Sequence, residues 1–172
     1  MQASEIEVKP VPPLYTPEQR RRRDATPWTL VQGLLAPIQF LIFLVSLGLV
    51  LRYLATGQGE SEAVVSVVVK TAALYAIMVT GCLWEKVVFG KYLFAPAFYW
   101  EDVFSMLVLA LHTSYLVALG TDSLGSRGRM VLALAAYASY AINATQFLLK
   151  LRAARLQQAR SAATPLGSGA AA

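Results

Sequence analysis

Residues Leu30–Leu51 read LVQGLLAPIQFLIFLVSLGLVL, 22 residues without one charge. A helix rises about 1.5 Å per residue and the hydrocarbon core of a bilayer is about 30 Å thick, so about 20 such residues span it. Working outward, Val103–Thr121 and Met130–Leu149 add charge-free runs of 19 and 20 residues, and Ala63–Trp84 adds 22 interrupted only by Lys70. The chain is 56% apolar and 15% charged, whereas a soluble domain carries about 25% charged residues. The expected fold is therefore all-α: a polytopic membrane protein with four transmembrane helices over about 28–54, 63–85, 101–121 and 129–151.

The flanks complete the organisation. Residues 1–27 form a polar leader in which Thr16-Pro17-Glu18-Gln19 has the form of a capping box ahead of Arg20–Arg23, predicting a short basic interfacial helix. The leader lacks the short apolar core and small-residue cleavage signature of a secretory signal, so it is expected to be retained. Thr26-Pro27-Trp28 repeats the start signal, opening a transmembrane domain over 28–152. Gly57-Gln58-Gly59 and Gly120–Gly128 mark two short connections, whereas Glu85–Trp100 is long and aromatic, suited to the membrane interface. Residues 153–172 are expected to continue as helix and then become disordered.

Positive residues stay in the cytoplasm. Lys9, Arg20–Arg23, Lys86, Lys91, Lys150, Arg152, Arg155 and Arg160 fall on one side, eleven of the fifteen Lys and Arg; Arg52, Arg127 and Arg129 fall on the other, and Lys70 within the bilayer. Both termini are expected to be cytoplasmic. These charges act as topology signals, no motif for nucleic acid accompanies them, and the single cysteine, Cys82, excludes an intrachain disulfide or a Cys-rich metal site.

A polar residue inside a span needs a reason. Gln32, Gln39 and Ser46 recur every seven residues and so share one face, where interhelical hydrogen bonds account for them as well as a ligand does. Lys70 is close enough to the external surface to snorkel. Glu101 and His112 share a face about 16 Å apart; one of Glu101 and Asp102 can cap its helix, and His112 reads equally as packed core or as a site. Ser139, Asn143 and Gln146 form a further stripe. Together with Glu85, these residues outline a polar pocket open to the cytoplasm, suited to a planar amphiphile. No catalytic triad, phosphate loop or dinucleotide fingerprint is present.

The blocks WEKVVFGKYLFAPAFYWEDVFSMLVLALHT (Trp84–Thr113) and YTPEQRRRRDATPWTLVQGLLAPIQFLIFLVSLGLVLRYL (Tyr15–Leu54) resemble the 3-vinyl (bacterio)chlorophyllide hydratase family of bacteriochlorophyll synthesis, the likeness covering roughly residues 14–150. The resemblance implies a hydro-lyase of a bacterial inner membrane, cytoplasmic or photosynthetic. It adds water across the C3 vinyl group of chlorophyllide a or a related bacteriochlorophyllide, giving a 1-hydroxyethyl group. The implied partner is that pigment; membrane lipid follows from the spans, other enzymes of the pathway are candidate partners, and so is a second copy of the chain, since a four-span bundle is narrow for a chlorin. No cofactor is expected, the magnesium belonging to the substrate.

Protonating the terminal vinyl carbon requires a carboxylic acid that is protonated near neutral pH, a state that burial or a neighbouring carboxylate favours. Glu101 or Glu85 is the expected donor, with a second carboxylate such as Asp102 orienting water and stabilising the cation. His112 is a candidate axial ligand to the substrate magnesium or a general base. Lys86 and Lys91 are candidates for the substrate carboxylate, and Tyr99, Trp100, Gln39, Asn143 and Gln146 for the rest of the pigment. A pigment-binding or assembly factor without catalysis, and a small four-span transporter, are the rival readings.

Overall fold

The computed structural model describes residues 13–163, which form five helices and, among those residues, no strand. They are α1 (Pro17–Ala25), α2 (Pro27–Thr56), α3 (Glu60–Phe89), α4 (Tyr99–Gly120) and α5 (Ser126–Ala163). Four of them, α2 to α5, are long and apolar enough to cross a membrane. The chain is thus a multi-pass membrane protein. The expected disorder of the last residues falls at 164–172, outside the described residues.

Local chemistry sets the helix ends. The reciprocal bonds between Thr16 and Gln19 start α1, and Glu18 pairs with Arg22 one turn on at 2.5 Å. Thr26 closes α1 and caps α2 through the Trp28 amide. Helix α2 runs unbroken through Pro37 and stops at Gly57, whose φ of 70° lets its amide return to the Tyr53 carbonyl at 2.7 Å. Gly90 ends α3 in the same way, with φ 80° and a 3.0 Å bond to the Lys86 carbonyl. The third connection is shorter than its sequence suggests: Ser126 already belongs to α5, and its hydroxyl bonds Glu60 at the start of α3.

Two antiparallel hairpins, α2/α3 and α4/α5, make the bundle, joined where α2 meets α5 and α3 meets α4; α1 lies against α3. The first hairpin is tied by Gln32 Nε2 donating to Thr80 Oγ1 at 2.7 Å and by Ser46 against Ser66 at 2.7 Å. The second is tied by Asn143 Nδ2 donating to Ser105 Oγ at 2.8 Å. Between hairpins, Phe43 packs on Tyr137 and Tyr140 at ring distances of 5.5 and 5.0 Å, while the Tyr137 hydroxyl meets Ser46 Oγ at 2.5 Å. At the end carrying loops 57–59 and 121–125, Arg129 joins Asp122 (2.5 Å), the Leu124 carbonyl (3.0 Å) and Glu60 (3.5 Å). Leu30, Leu41, Val45 and Leu148 face outward and are more than half exposed, as lipid-facing side chains are where no water has to be excluded. At about 1.5 Å per residue the 38-residue α5 is about 57 Å long, so it outreaches a hydrocarbon core at the end where α1 lies.

Candidate functional site

The leader end of the bundle gathers the acids. Glu85 stands in the last turns of α3, and Glu101 and Asp102 in the first turn of α4, with loop 90–98 folded between. All three acids are buried. The loop explains how this is tolerated: Phe94 N–H donates to Asp102 Oδ2 at 2.7 Å, and the next amide, Ala95 N–H, donates to Glu85 Oε1 at 3.1 Å. Consecutive amides aim at two acids because Phe94 adopts a left-handed φ of 58°, a costly conformation for a bulky residue. With one oxygen of each acid held by adjacent amides, the two carboxyl groups are brought side by side.

Glu101 has a different partner. Its Oε2 accepts from Lys150 Nζ of α5 at 2.5 Å, and the same ammonium lies 5.1 Å over the Phe98 ring. The three acids therefore divide into a Glu85–Asp102 pair and a Glu101–Lys150 ion pair. Neither Glu101 nor Asp102 is the side-chain cap of α4: that position is Phe98, which makes no side-chain cap bond.

An aromatic cluster backs the acids. Tyr15, Val88 and Phe98 form its buried centre, with Trp84, Phe89 and Phe147 packed around them. Trp84 Nε1 donates to Thr29 Oγ1 at 2.9 Å, tying α3 to the start of α2. Burial pushes the Tyr15 phenol above its ordinary pKa, against the opposing Arg23 guanidinium 4.8 Å over its ring. The long connection thus splits: Phe89 and Phe98 turn inward, whereas Tyr92, Phe94, Tyr99 and Trp100 stay exposed. Phe94, Tyr99 and Trp100 follow one another at ring distances of 5.8 and 5.5 Å, making an aromatic face beside the acid pair. Lys86 lies 4.9 Å over Tyr92 and donates to the Gly90 carbonyl at 3.0 Å, and Lys91 is exposed in the same loop.

The remaining candidates sit deeper. His112 follows Asp102 by ten residues on α4, about 15 Å along the axis. It is completely buried, and its Nδ1 bonds the Val108 carbonyl at 2.8 Å. Its ring packs 5.8 Å from that of Tyr137. Gln39 and Asn143 are buried and Gln146 is half-buried. The polar residues pack between helices instead of lining one open pocket at the rim. Two grooves, of about 680 Å³ against α2 and α3 and about 360 Å³ on α5, lie on the outer faces of the helices.

One expectation is overturned outright. Lys70 does not snorkel: it is 0% exposed, and its Nζ lies 3.7 Å over the Tyr140 ring. The ring face of α5 receives the ammonium by a cation–π contact, which turns the side chain inward. Lys150 and the paired amides of Phe94 and Ala95 also escaped the sequence reading. The one charge inside an otherwise uncharged 22-residue run was the signal available for Lys70; the loop amides left none.

Residues 15–153 match the family model described as 2-vinyl bacteriochlorophyllide hydratase. The 2-vinyl bacteriochlorophyllide hydratase of Cereibacter sphaeroides is 68% identical over 143 residues, covering 83% of this chain and 89% of that protein. The protein of the same name from Rhodobacter capsulatus is 66% identical over 146 residues, 85% of each. No solved structure matches the chain.

Proposed function

The chain belongs to the 2-vinyl bacteriochlorophyllide hydratase family, and from that we propose that it adds water across the vinyl group of a bacteriochlorophyllide or chlorophyllide a in bacteriochlorophyll biosynthesis, with Glu85 and Asp102 as its proton-handling pair. The 2-vinyl of the family description and the C3 vinyl above are one substituent under two numbering conventions. The observation that carries the mechanism is the convergence of both acids on the amides of Phe94 and Ala95. Two carboxyl groups held side by side repel when both are ionised, which favours one of them keeping its proton. That proton is positioned for general-acid chemistry.

In the proposed reaction the vinyl π electrons take the proton onto the terminal carbon, leaving a cation on the adjacent carbon that the macrocycle delocalises. Water attacks there, and the proton it sheds returns to the acid pair. One water is consumed, nothing is oxidised or reduced, and no cofactor is called for. Glu101 acts as a positioning residue through Lys150. The exposed face of Phe94, Tyr99 and Trp100 supports a role in receiving the macrocycle, with Lys86 or Lys91 near the substrate carboxylate. His112, about 15 Å from Asp102 along α4, is too distant to activate the attacking water, because the two vinyl carbons are bonded to each other. The excess of basic residues supports a cytoplasmic leader end in a bacterial inner membrane.

The test is purified protein incubated with chlorophyllide a and no added cofactor. The expected product is heavier by one water, and Glu85→Gln lowers its formation about 10³-fold. Pigment that binds but returns unchanged from the wild-type protein would overturn the hydratase reading in favour of a carrier.

A further inference from the structure

Seven buried side-chain atoms among the described residues have no hydrogen-bond partner in the protein. They include Lys70 Nζ, His112 Nε2, Tyr115 Oη, Gln39 Nε2 and Asn143 Oδ1. Leaving one such group unmatched costs about 1–3 kcal/mol, so a family of them in a single bundle asks for an occupant.

Their placement is ordered. Along α4, Asp102, Ser105, His112 and Tyr115 follow at spacings of three, seven and three, which keeps them on one buried face. Tyr115, five residues before the end of α4, marks the end nearer Arg129 and Glu60. Asn143, bonded to Ser105 through Nδ2, keeps a buried Oδ1 without a partner near the acid end. Lys70 and His112 lie between.

The chemistry of these atoms selects the occupant. A backbone carbonyl only accepts, so His112 Nδ1 carries the proton in its 2.8 Å bond to Val108, and Nε2 is left to a further partner, as an acceptor when the ring is neutral. Lys70 Nζ offers donors, Tyr115 Oη does both, and Asn143 Oδ1 accepts. A ligand that donates and accepts, and is small enough to sit among side chains packed at mid-bilayer, satisfies all of them. Water is that ligand.

We infer that the bundle interior binds a file of water molecules, with stations at Tyr115, at Lys70 and His112, and at Asn143, leading from the Arg129–Glu60 end to the Glu85–Asp102 pair. Its role rests on the hydration reading: water is a co-substrate, and the file reaches the acid pair from the bundle interior while the pigment lies on the exposed aromatic face. The file also gives Lys70 and His112 a function at a distance from the reacting carbons.

The experiment is hydroxyl-radical footprinting of the protein in lipid nanodiscs, in ¹⁸O-water, with side-chain oxidation read by mass spectrometry. Radicals born on bound water label adjacent buried residues. We expect His112 and Tyr115 to label at least about fivefold faster than Phe98, which is equally buried among aromatic rings. Tyr115→Phe should lower labelling at His112, and Lys70→Met should lower kcat about tenfold with KM for the pigment unchanged, since only the water supply is impaired. Labelling of His112 and Tyr115 no faster than Phe98 overturns the file, even in a protein that hydrates its pigment. Labelling persists if the file is correct and the hydratase reading fails, so the two are separable.

Discussion

The acid end and the middle of the bundle solve the same problem differently. Glu85, Asp102 and Glu101 are buried, yet each meets a protein donor at 3.1, 2.7 and 2.5 Å. Lys70 and His112 are buried more completely, and the Lys70 ammonium and His112 Nε2 have no hydrogen-bond partner in the protein. The difference lies in the backbone. At the acid end a non-helical loop has amides to spare, and a strained Phe94 aims two of them at carboxyl groups. Inside a span every amide is committed to the helix, so a buried acceptor finds no backbone donor there, and only a carbonyl can be shared, as that of Val108 is with His112 Nδ1. A charge near a helix end is held by loop amides, whereas the one at mid-span rests on an aromatic ring.

The strongest way to break this contrast is to remove the proton without removing the acceptor. Glu85→Gln still accepts from Ala95 but cannot be a carboxylic acid. Its turnover should fall about 10³-fold, near 4 kcal/mol of barrier, with little change in thermal unfolding. Retention of full turnover would move the donor away from this pair. Next comes the support behind the acids: Phe98→Ala should cost about 3 kcal/mol of stability and lower turnover as well, because it empties the ring cluster under Lys150. Unfolding in detergent followed by circular dichroism reads it.

Smaller effects sharpen the contrast. Glu101→Gln leaves Lys150 without its counter-charge and should cost about 2 kcal/mol, and adding Lys150→Met should recover part of that, a coupling that a double-mutant cycle measures. The smallest change is expected at Gln32→Leu, which deletes the bond to Thr80 within the first hairpin. Interhelical bonds of this kind contribute about 0.6 kcal/mol in lipid, so the unfolding midpoint should barely move and turnover should stay at the wild-type level.

Much of this architecture is legible along the chain. Thr16 and Gln19 announce the α1 cap, Gly57 and Gly90 the ends of α2 and α3, and four uncharged runs the spans. The Glu85–Asp102 pairing is only half legible. Three acids near one end can be read from charge, but that Asp102 and Glu85 meet on adjacent loop amides while Glu101 turns to Lys150 depends on how α3, α4 and α5 are rotated about their axes. Lys70 shows the limit most plainly. Its distance from the span end suits snorkelling, and Tyr140, 70 residues away in sequence, draws it inward.

What the sequence determined by itself was the number of spans, their approximate bounds and the sparse set of ionisable groups inside them, because the cost of a charge in hydrocarbon is paid residue by residue and leaves its mark in composition. The tertiary structure alone decided who partners whom. Those pairings depend on helix rotation and crossing and on one left-handed residue in a loop, and no periodicity within a single helix encodes them.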